Sequence, residues 1–463
     1  MCSIFMNIKY NFFIAMILLL QFTYIDNSYS ENIFSSRFIN TFLIYYGGGD
    51  KFTHEDMEKL ARYDLIAVDR FRYKNIRGNT WEALKIINPD LKIMLYQAGP
   101  VVLDHTGKTK QYYLNNLGRY DNPRNHPMGA LNTKPDWFLK NPLGDILNMN
   151  NNPHAKVLDF GNQQVRKYWI DATVEDIIDK PWVADGIKID NCSTFQLHPV
   201  ERLMFKQSVK YPDSDEWDKA LNGFVATVTR GLHDRNQLVM VNRTNVRLAS
   251  GEKAWLEMDA MNDVPDVIME EGAFAVSWGG GDVQFYSFDE WKRQMEAPGK
   301  IKNSSVALLS HTDLGPGEHG KDSDGRPVSF DQILSYSLGS YLLAKNKDGY
   351  TTLFSFDYAR KNGDYKRISW VDLYATLDLG EALSPSRVVS ENHSRVYIRE
   401  FQKGYVYVNP GDNTQSNIPV PDARSGMMQL DIQNSVVVYS RFTENQITLK
   451  PHHALILRKA IEQ

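Results

Sequence analysis

The strongest constraint on how this chain can fold is a repeated alternation, from Thr41 to about Phe356, of short apolar runs with longer stretches of helical periodicity. The sequence predicts eight strands, at Phe42–Tyr46, Leu65–Arg70, Leu91–Gln97, Gly186–Asn191, Leu238–Asn242, Val267–Glu271, Ser305–His311 and Tyr350–Ser355. It predicts helices at His54–Arg62, Thr80–Ile87, Gln164–Ile178, Glu216–His233, Phe288–Glu296 and Phe330–Ala344, with Asp56, Asp90, Asp213 and Asp331 supplying turn or capping oxygens. Strand-then-helix units in series imply a parallel sheet with right-handed crossovers, and eight of them close most naturally into a (β/α)8 TIM barrel. An open doubly wound sheet would want a Gly-x-Gly-x-x-Gly phosphate turn after its first strand. Gly47-Gly48-Gly49-Asp50 does not match that pattern, and helical periodicity resumes only beyond Lys51-Phe52-Thr53. These glycines therefore read as a tight turn at the barrel mouth.

The two ends of the chain follow other rules. Lys9 precedes an apolar run from Phe12 to Phe22, broken only by Gln21, and Ser28-Tyr29-Ser30 offers small residues for cleavage. Residues 1–30 are thus expected to be a signal peptide, giving an exported protein in the periplasm or outside a bacterial cell. The run is shorter than the roughly 20 apolar residues of a spanning helix, so no stable membrane insertion is expected after cleavage; an uncleaved anchor is the alternative. Loss of Cys2 with this segment would leave Cys192 alone, and no internal disulfide is expected. The stretch from about 98 to 162 is too long for an ordinary connection and is expected to lie over the barrel mouth and shape a groove. Past the barrel, short alternating runs around Val396–Phe401, Gly404–Gly411, Ser435–Ser440 and Ala454–Arg458 read as an antiparallel β-sandwich. The expected division is a signal peptide at 1–30, a barrel at 31–383 and a C-terminal β-sandwich at 384–463.

Within the barrel the fourth strand stands out, because Asp185-Gly186-Ile187-Lys188-Ile189-Asp190-Asn191 places Gly186, Lys188 and Asp190 on one face. A packed interior would not tolerate such charges without partners, whereas the C-terminal mouth of a parallel barrel is where catalytic groups gather. Other carboxylates at predicted strand ends are Glu270 and Glu271 after the sixth strand and Asp313 just past the seventh. Two carboxylates facing each other across a pocket are what glycoside hydrolysis requires, one as proton donor and one as nucleophile or base. Asp190 is the expected nucleophile or base, with Lys188 one layer below keeping it ionised. Glu271 is the first choice for the acid and Glu270 the second, since Val267-Ile268-Met269 is apolar on both faces and leaves the register open. Tyr46, Asp69, Arg70, Tyr96, Lys188, Asn191, Asn242 and His311 are expected to hold sugar hydroxyls and stabilise transition-state charge; Gln97 and Arg243 are further polar residues at strand ends. Neither a His-x-His pair at a strand end nor a Gly-x-Ser-x-Gly elbow occurs, so no metal, cofactor or serine nucleophile is expected. Cys192 reads as a small buried packing residue. A formal net charge of −4 offers no footprint for nucleic acid, while 24 Tyr and 9 Trp are compatible with a carbohydrate surface.

Several of these motifs, taken in order, carry a family resemblance. Tyr63–Asp69, Asn88–Tyr96, Pro135-Asp136-Trp137-Phe138-Leu139, Leu158-Asp159-Phe160-Gly161-Asn162 and Asp185–Asn191 resemble the bacterial hypothetical glycoside hydrolase-like TIM barrels, which are distantly similar to polygalactosaminidase-type enzymes. Lys188-x-Asp190 is also similar to the Lys-x-Asp of α-galactosidase-type barrels, which implies a nucleophile role for Asp190 and an acid at the end of the sixth strand. Gly404-Tyr405-Val406-Tyr407-Val408-Asn409-Pro410 resembles the start of the β-sandwich appended to many such enzymes. The expectation is an exported glycosidase acting on a poly- or oligosaccharide. The alternative, from another class, is a catalytically inactive barrel that binds an extracellular polysaccharide.

Overall fold

The computed structural model describes residues 33–34, 37–46, 52–69, 80–103, 134–148, 155–174, 184–193, 208–211, 213–277, 281–346, 350–358, 367–421, 426–433 and 436–460. The expected signal peptide, Arg70 and much of the long stretch after the third strand lie outside them. Eight parallel strands form the barrel: β1 (Asn40–Tyr45), β2 (Leu65–Asp69), β3 (Lys92–Ala98), β4 (Gly186–Asp190), β5 (Leu238–Asn242), β6 (Val267–Val276), β7 (Ser305–Thr312) and β8 (Thr352–Tyr358). They pair in sequence order, and the pairings of β7 with β8 and of β8 with β1 close the ring. All eight coincide with the strands predicted from sequence. The largest departure is β6, which continues past Glu271 to Val276 and is extended by a short antiparallel strand at Gln284–Phe285.

Around the barrel lie α1 (His54–Leu60), α2 (Thr80–Ile87), α3 (Gln163–Thr173), α4 (Ser214–His233), α5 (Ala249–Asp259), α6 (Phe288–Glu296), α7 (Phe330–Ala344) and a single turn, α8 (Leu373–Thr376). Two starts are sealed as the sequence indicates, by a Thr53–Asp56 capping box on α1 and by the Asp213 side chain accepting from the Glu216 amide on α4. The helix that sequence reading missed is α5. It begins at Leu248 with no side-chain cap and has only a weak apolar stripe, yet it buries Ala254, Trp255 and Met258. Trp169, Trp217, Trp255 and Trp291 are all fully buried and fill the shell between helices and strands. Of the long stretch after β3, the described parts are a two-stranded ribbon, Val101–Leu103 with Ala155–Val157, and a turn that buries Trp137, Phe138 and Leu139 against this shell.

The C-terminal strands are β9 (Arg387–Val388), β10 (Tyr397–Phe401), β11 (Gly404–Asn409), β12 (Gln415–Pro419), β13 (Met427–Gln433), β14 (Val436–Phe442), β15 (Gln446–Leu449) and β16 (His453–Lys459). Six of them form an antiparallel sheet in the order β9-β10-β11-β16-β13-β14, and β12 with β15 forms a separate ribbon. One face of the large sheet, with Tyr405, Tyr407 and Leu457, meets the ribbon's Ile418, Ile447 and Leu449 in a core of its own. The opposite face, with Val406, Val408 and Ile456, joins the barrel's hydrophobic shell. Arg399 on β10 ties the two parts together: its Nη1 donates to the carbonyls of Leu342 and Leu343, at 3.0 and 2.9 Å, in the last turn of α7. Those carbonyls have no partner within the helix, and a cation at a helix C-terminus is favoured by its dipole.

α7 approaches the sheet so closely that residue 339 has no room for a side chain. A Cβ on Gly339 would lie 2.5 Å from the Ala454 Cβ and 3.1 Å from Val408. Gly339→Val is therefore expected to destabilise the protein by about 1–3 kcal/mol. A lowered thermal midpoint checks this, and an unchanged midpoint would mean that the helix–sheet contact yields freely.

Candidate active site

The register of the barrel decides which side chains meet. Parallel strands in register present paired residues to the same side, and alternate residues to the other. Asp69 pairs with Tyr96, Tyr96 with Lys188 and Ala98 with Asp190, while Asn242 pairs with Met269. Glu271 therefore shares the inner face with Asn242, and Glu270 shares the outer face with Ile268. The apolar sequence could not reveal this phase.

The inner face carries a connected polar cluster. Lys188 Nζ donates to Asp190 Oδ1 at 2.8 Å, and the two side chains are 1% and 17% exposed, so the carboxylate opens to the mouth while the ammonium is sealed beneath it. Asp190 Oδ1 also accepts from Asn242 Nδ2 at 2.7 Å, and its Oδ2 from the Tyr96 hydroxyl at 3.0 Å. Asn242 Nδ2 donates in addition to Glu271 Oε2, again at 2.7 Å. The Tyr46 hydroxyl lies 3.3 Å from Lys188 Nζ, and its ring meets that of Tyr96 edge-on with centroids 5.2 Å apart. Lys188 Nζ sits 5.1 Å from the centre of the Tyr96 ring, which adds a cation–π contribution. Burial by itself would raise the Asp190 carboxyl. The Lys188 charge and the hydrogen bonds from Lys188, Asn242 and Tyr96 outweigh it and hold the group below the usual carboxylate range.

Of the residues expected to form the site, the structure thus brings together Tyr46, Tyr96, Lys188, Asp190, Asn242 and Glu271. Asn191 follows directly in the left-handed conformation, with φ of 59°, which asparagine tolerates better than most residues. Asp69 ends β2, and its side chain lies outside the described residues, as does all of Arg70. His311 is fully buried near the end of β7, opposite Asp357 of β8.

Glu270 does not join the cluster. Its carboxylate points away from the mouth and accepts from the Val246 amide at 3.0 Å and from Gln294 Nε2 of α6 at 3.4 Å. Arg243 is likewise turned outward and fully buried, donating to Asp218 at 2.9 Å and to the Cys192 carbonyl at 2.8 Å. Cys192 is buried too, and burial pushes its thiol up to about 12, which leaves no thiolate near neutral pH. Among the described residues no group of three His, Cys, Asp or Glu side chains is placed to hold a metal ion.

Sequence reading missed Gly99. Its amide donates to the Asp190 carbonyl at 2.9 Å, and a Cβ there would lie 2.7 Å from the same oxygen. The absent side chain lets the backbone after β3 press against the end of β4 and fix where Asp190 stands. The available signal was the Gly99-Pro100 pair directly after the third predicted strand.

A closed (β/α)8 barrel with paired carboxylates at its mouth and an antiparallel C-terminal domain is a glycoside hydrolase-like barrel. Residues 85–405 match the model of hypothetical glycosyl hydrolase family 15, and the chain belongs to that family. No curated protein sequence matches the chain. Similar solved structures include the isomaltulose synthase SmuA from Protaminobacter rubrum, 10% identical with a TM-score of 0.51, covering 91% of this chain and 99% of that one. The trehalulose synthase MutB from Pseudomonas mesoacidophila MX-45 is also 10% identical, with a TM-score of 0.49 and coverage of 91% and 98%. At such identity the likeness to SmuA speaks for the fold alone.

Glu270 has a consequence for stability. Burial raises its carboxyl from 4.5 to about 7, against the opposing effects of the Val246 amide, Arg247 and Gln294. Between those values the folded protein keeps a proton that the unfolded chain has released, so stability falls as pH rises through that window. Glu270→Gln is expected to flatten this fall, by on the order of 3 kcal/mol or less. Urea unfolding at about pH 5 and about pH 8 measures it, and an equally steep dependence in the variant would contradict the assignment.

Proposed function

We propose that this protein is an exported glycosidase that cleaves a poly- or oligosaccharide with Asp190 as nucleophile and Glu271 as general acid and base. The observation that carries this reading is the single amide nitrogen of Asn242, 2.7 Å from an oxygen of each carboxylate. The nearest oxygens of Asp190 and Glu271 are therefore at most twice that distance apart. That ceiling lies within the about 5–5.5 Å of retaining glycosidases and below the about 6.5–9.5 Å that leaves room for water in inverting ones, which favours the retaining mechanism.

The roles follow from surroundings. Asp190 receives a buried ammonium, an amide and a phenol, all of which favour the carboxylate, as a nucleophile requires. Glu271 receives from the shared amide on Oε2, and its other oxygen can carry the proton for the leaving group. In the first step Asp190 attacks the anomeric carbon while Glu271 protonates the departing oxygen. In the second, Glu271 takes a proton from water, which attacks the same carbon and releases Asp190. Tyr46 and Tyr96 line the same mouth and would contact the sugar in the cleaved position. A barrel that only binds glycans would need no second carboxylate opposite Asp190, and the facing Glu271 favours hydrolysis. Export rests on the sequence of residues 1–30.

The mature protein, screened against bacterial and plant polysaccharides, is expected to release reducing ends from at least one. Glu271→Gln should slow that reaction by about 10²–10⁴-fold, and Asp190→Asn by no less. Binding of a glycan by calorimetry without any release would favour the inactive binding barrel.

A further inference from the structure

Asn242 was expected to touch substrate, but its geometry gives it other work. Both hydrogens of its amide nitrogen are engaged, one by Asp190 Oδ1 and one by Glu271 Oε2, at 2.7 Å each. Its carbonyl oxygen is buried and has no hydrogen-bond partner among the described residues, and the residue as a whole is only 4% exposed. A 180° flip of the amide would set that oxygen against two carboxylates, so the chemistry of the neighbours fixes the orientation. An unsatisfied buried acceptor costs stability, and here it is tolerated in order to keep both N–H groups on the two acids.

We propose that Asn242 is the positioning residue that sets the distance and the shared ionisation of the Asp190–Glu271 pair. The inference rests on the two-carboxylate reading above and deepens it. Two like charges this close would ordinarily share a proton, one acid being strongly raised. A donor bonded to both draws them onto one nitrogen and offsets their repulsion, which lowers the pH at which the pair gives up its protons. Among the described residues, the other titratable groups on the inner face near the mouth are Lys188 and Tyr96, both bonded to Asp190, Tyr46 beyond Lys188, and the paired His311 and Asp357 near the ends of β7 and β8. Asn242 bridges the two carboxylates directly. Once Asp190 becomes a neutral glycosyl ester, the amide is left to Glu271 alone and supports it as the base of the second step.

The test compares the wild type with Asn242→Leu, which keeps the shape and removes both donors, and Asn242→Ser, which keeps one. Carboxyl protonation is followed by infrared difference spectroscopy across a pH titration, with Asp190→Asn and Glu271→Gln assigning the bands. This readout needs no substrate. The expected result is a carboxyl titration moved upward by about one pH unit in Asn242→Leu and by less in Asn242→Ser. On any glycan the wild type cleaves, both limbs of the pH profile of kcat/KM should move up together. Titrations coincident with wild type in a folded variant would overturn the proposal. If Asn242→Leu fails to fold, Asn242→Ser alone decides, by the same shift or its absence. A wild type that hydrolyses nothing would count against the glycosidase reading, and the infrared titration would still decide the role of Asn242.

Discussion

The ion pair between Lys188 and Asp190 is the interaction on which the rest of the site depends. An ammonium that is 1% exposed inside a barrel is tolerable only with a close anion and further hydrogen bonds, and removing one partner from such a pair is costly. The barrel meets that demand by stacking layers: Met94, Gly186 and Leu238 below, Lys188 with Tyr46, Tyr96 and Met240 in the middle, Asp190 with Asn242 and Glu271 above. The charge therefore rises toward the mouth and ends where solvent and substrate can enter. The closed sheet fixes these layers rigidly, as a site on strands should be fixed.

The outer shell and the C-terminal sheets serve this arrangement at a distance. Glu270 and Arg243, the outward neighbours of Glu271 and Asn242, anchor their strands to the loops and helices outside the barrel, through the Val246 amide and through Asp218 and the Cys192 carbonyl. Alternation along a strand thus gives each mouth residue a structural neighbour facing the other way. On the far side, α7 lies between β7–β8 and the large antiparallel sheet, held by close packing at Gly339 and by Arg399 at its last carbonyls.

Most of this was legible in the sequence where period and chemistry agreed. The barrel strands were readable because β-branched and apolar residues recur between helical stretches, and the Lys188-x-Asp190 pair because charge at alternate positions of an apolar strand must find partners or face a solvent-filled mouth. The phase of β6 was not readable. Val267, Ile268 and Met269 are all apolar and all buried, so only pairing with β5 and β7 separates Glu271 from Glu270. α5 was hidden because its start lacks a capping side chain and its stability comes from burying Trp255 rather than from local signals. The bridging role of Asn242 was equally beyond sequence, since it depends on two residues 52 and 29 positions away in the chain.

Covalent capture tests whether Asp190 is the nucleophile of a retaining glycosidase. The purified protein would be incubated with a panel of activated 2-deoxy-2-fluoroglycosides of different sugar configurations, digested, and its peptides weighed. One sugar adduct is expected on the peptide that contains Asp190, absent from Asp190→Asn. An adduct on any other carboxylate, or none in a protein that hydrolyses a natural glycan with inversion at the anomeric carbon, would contradict it.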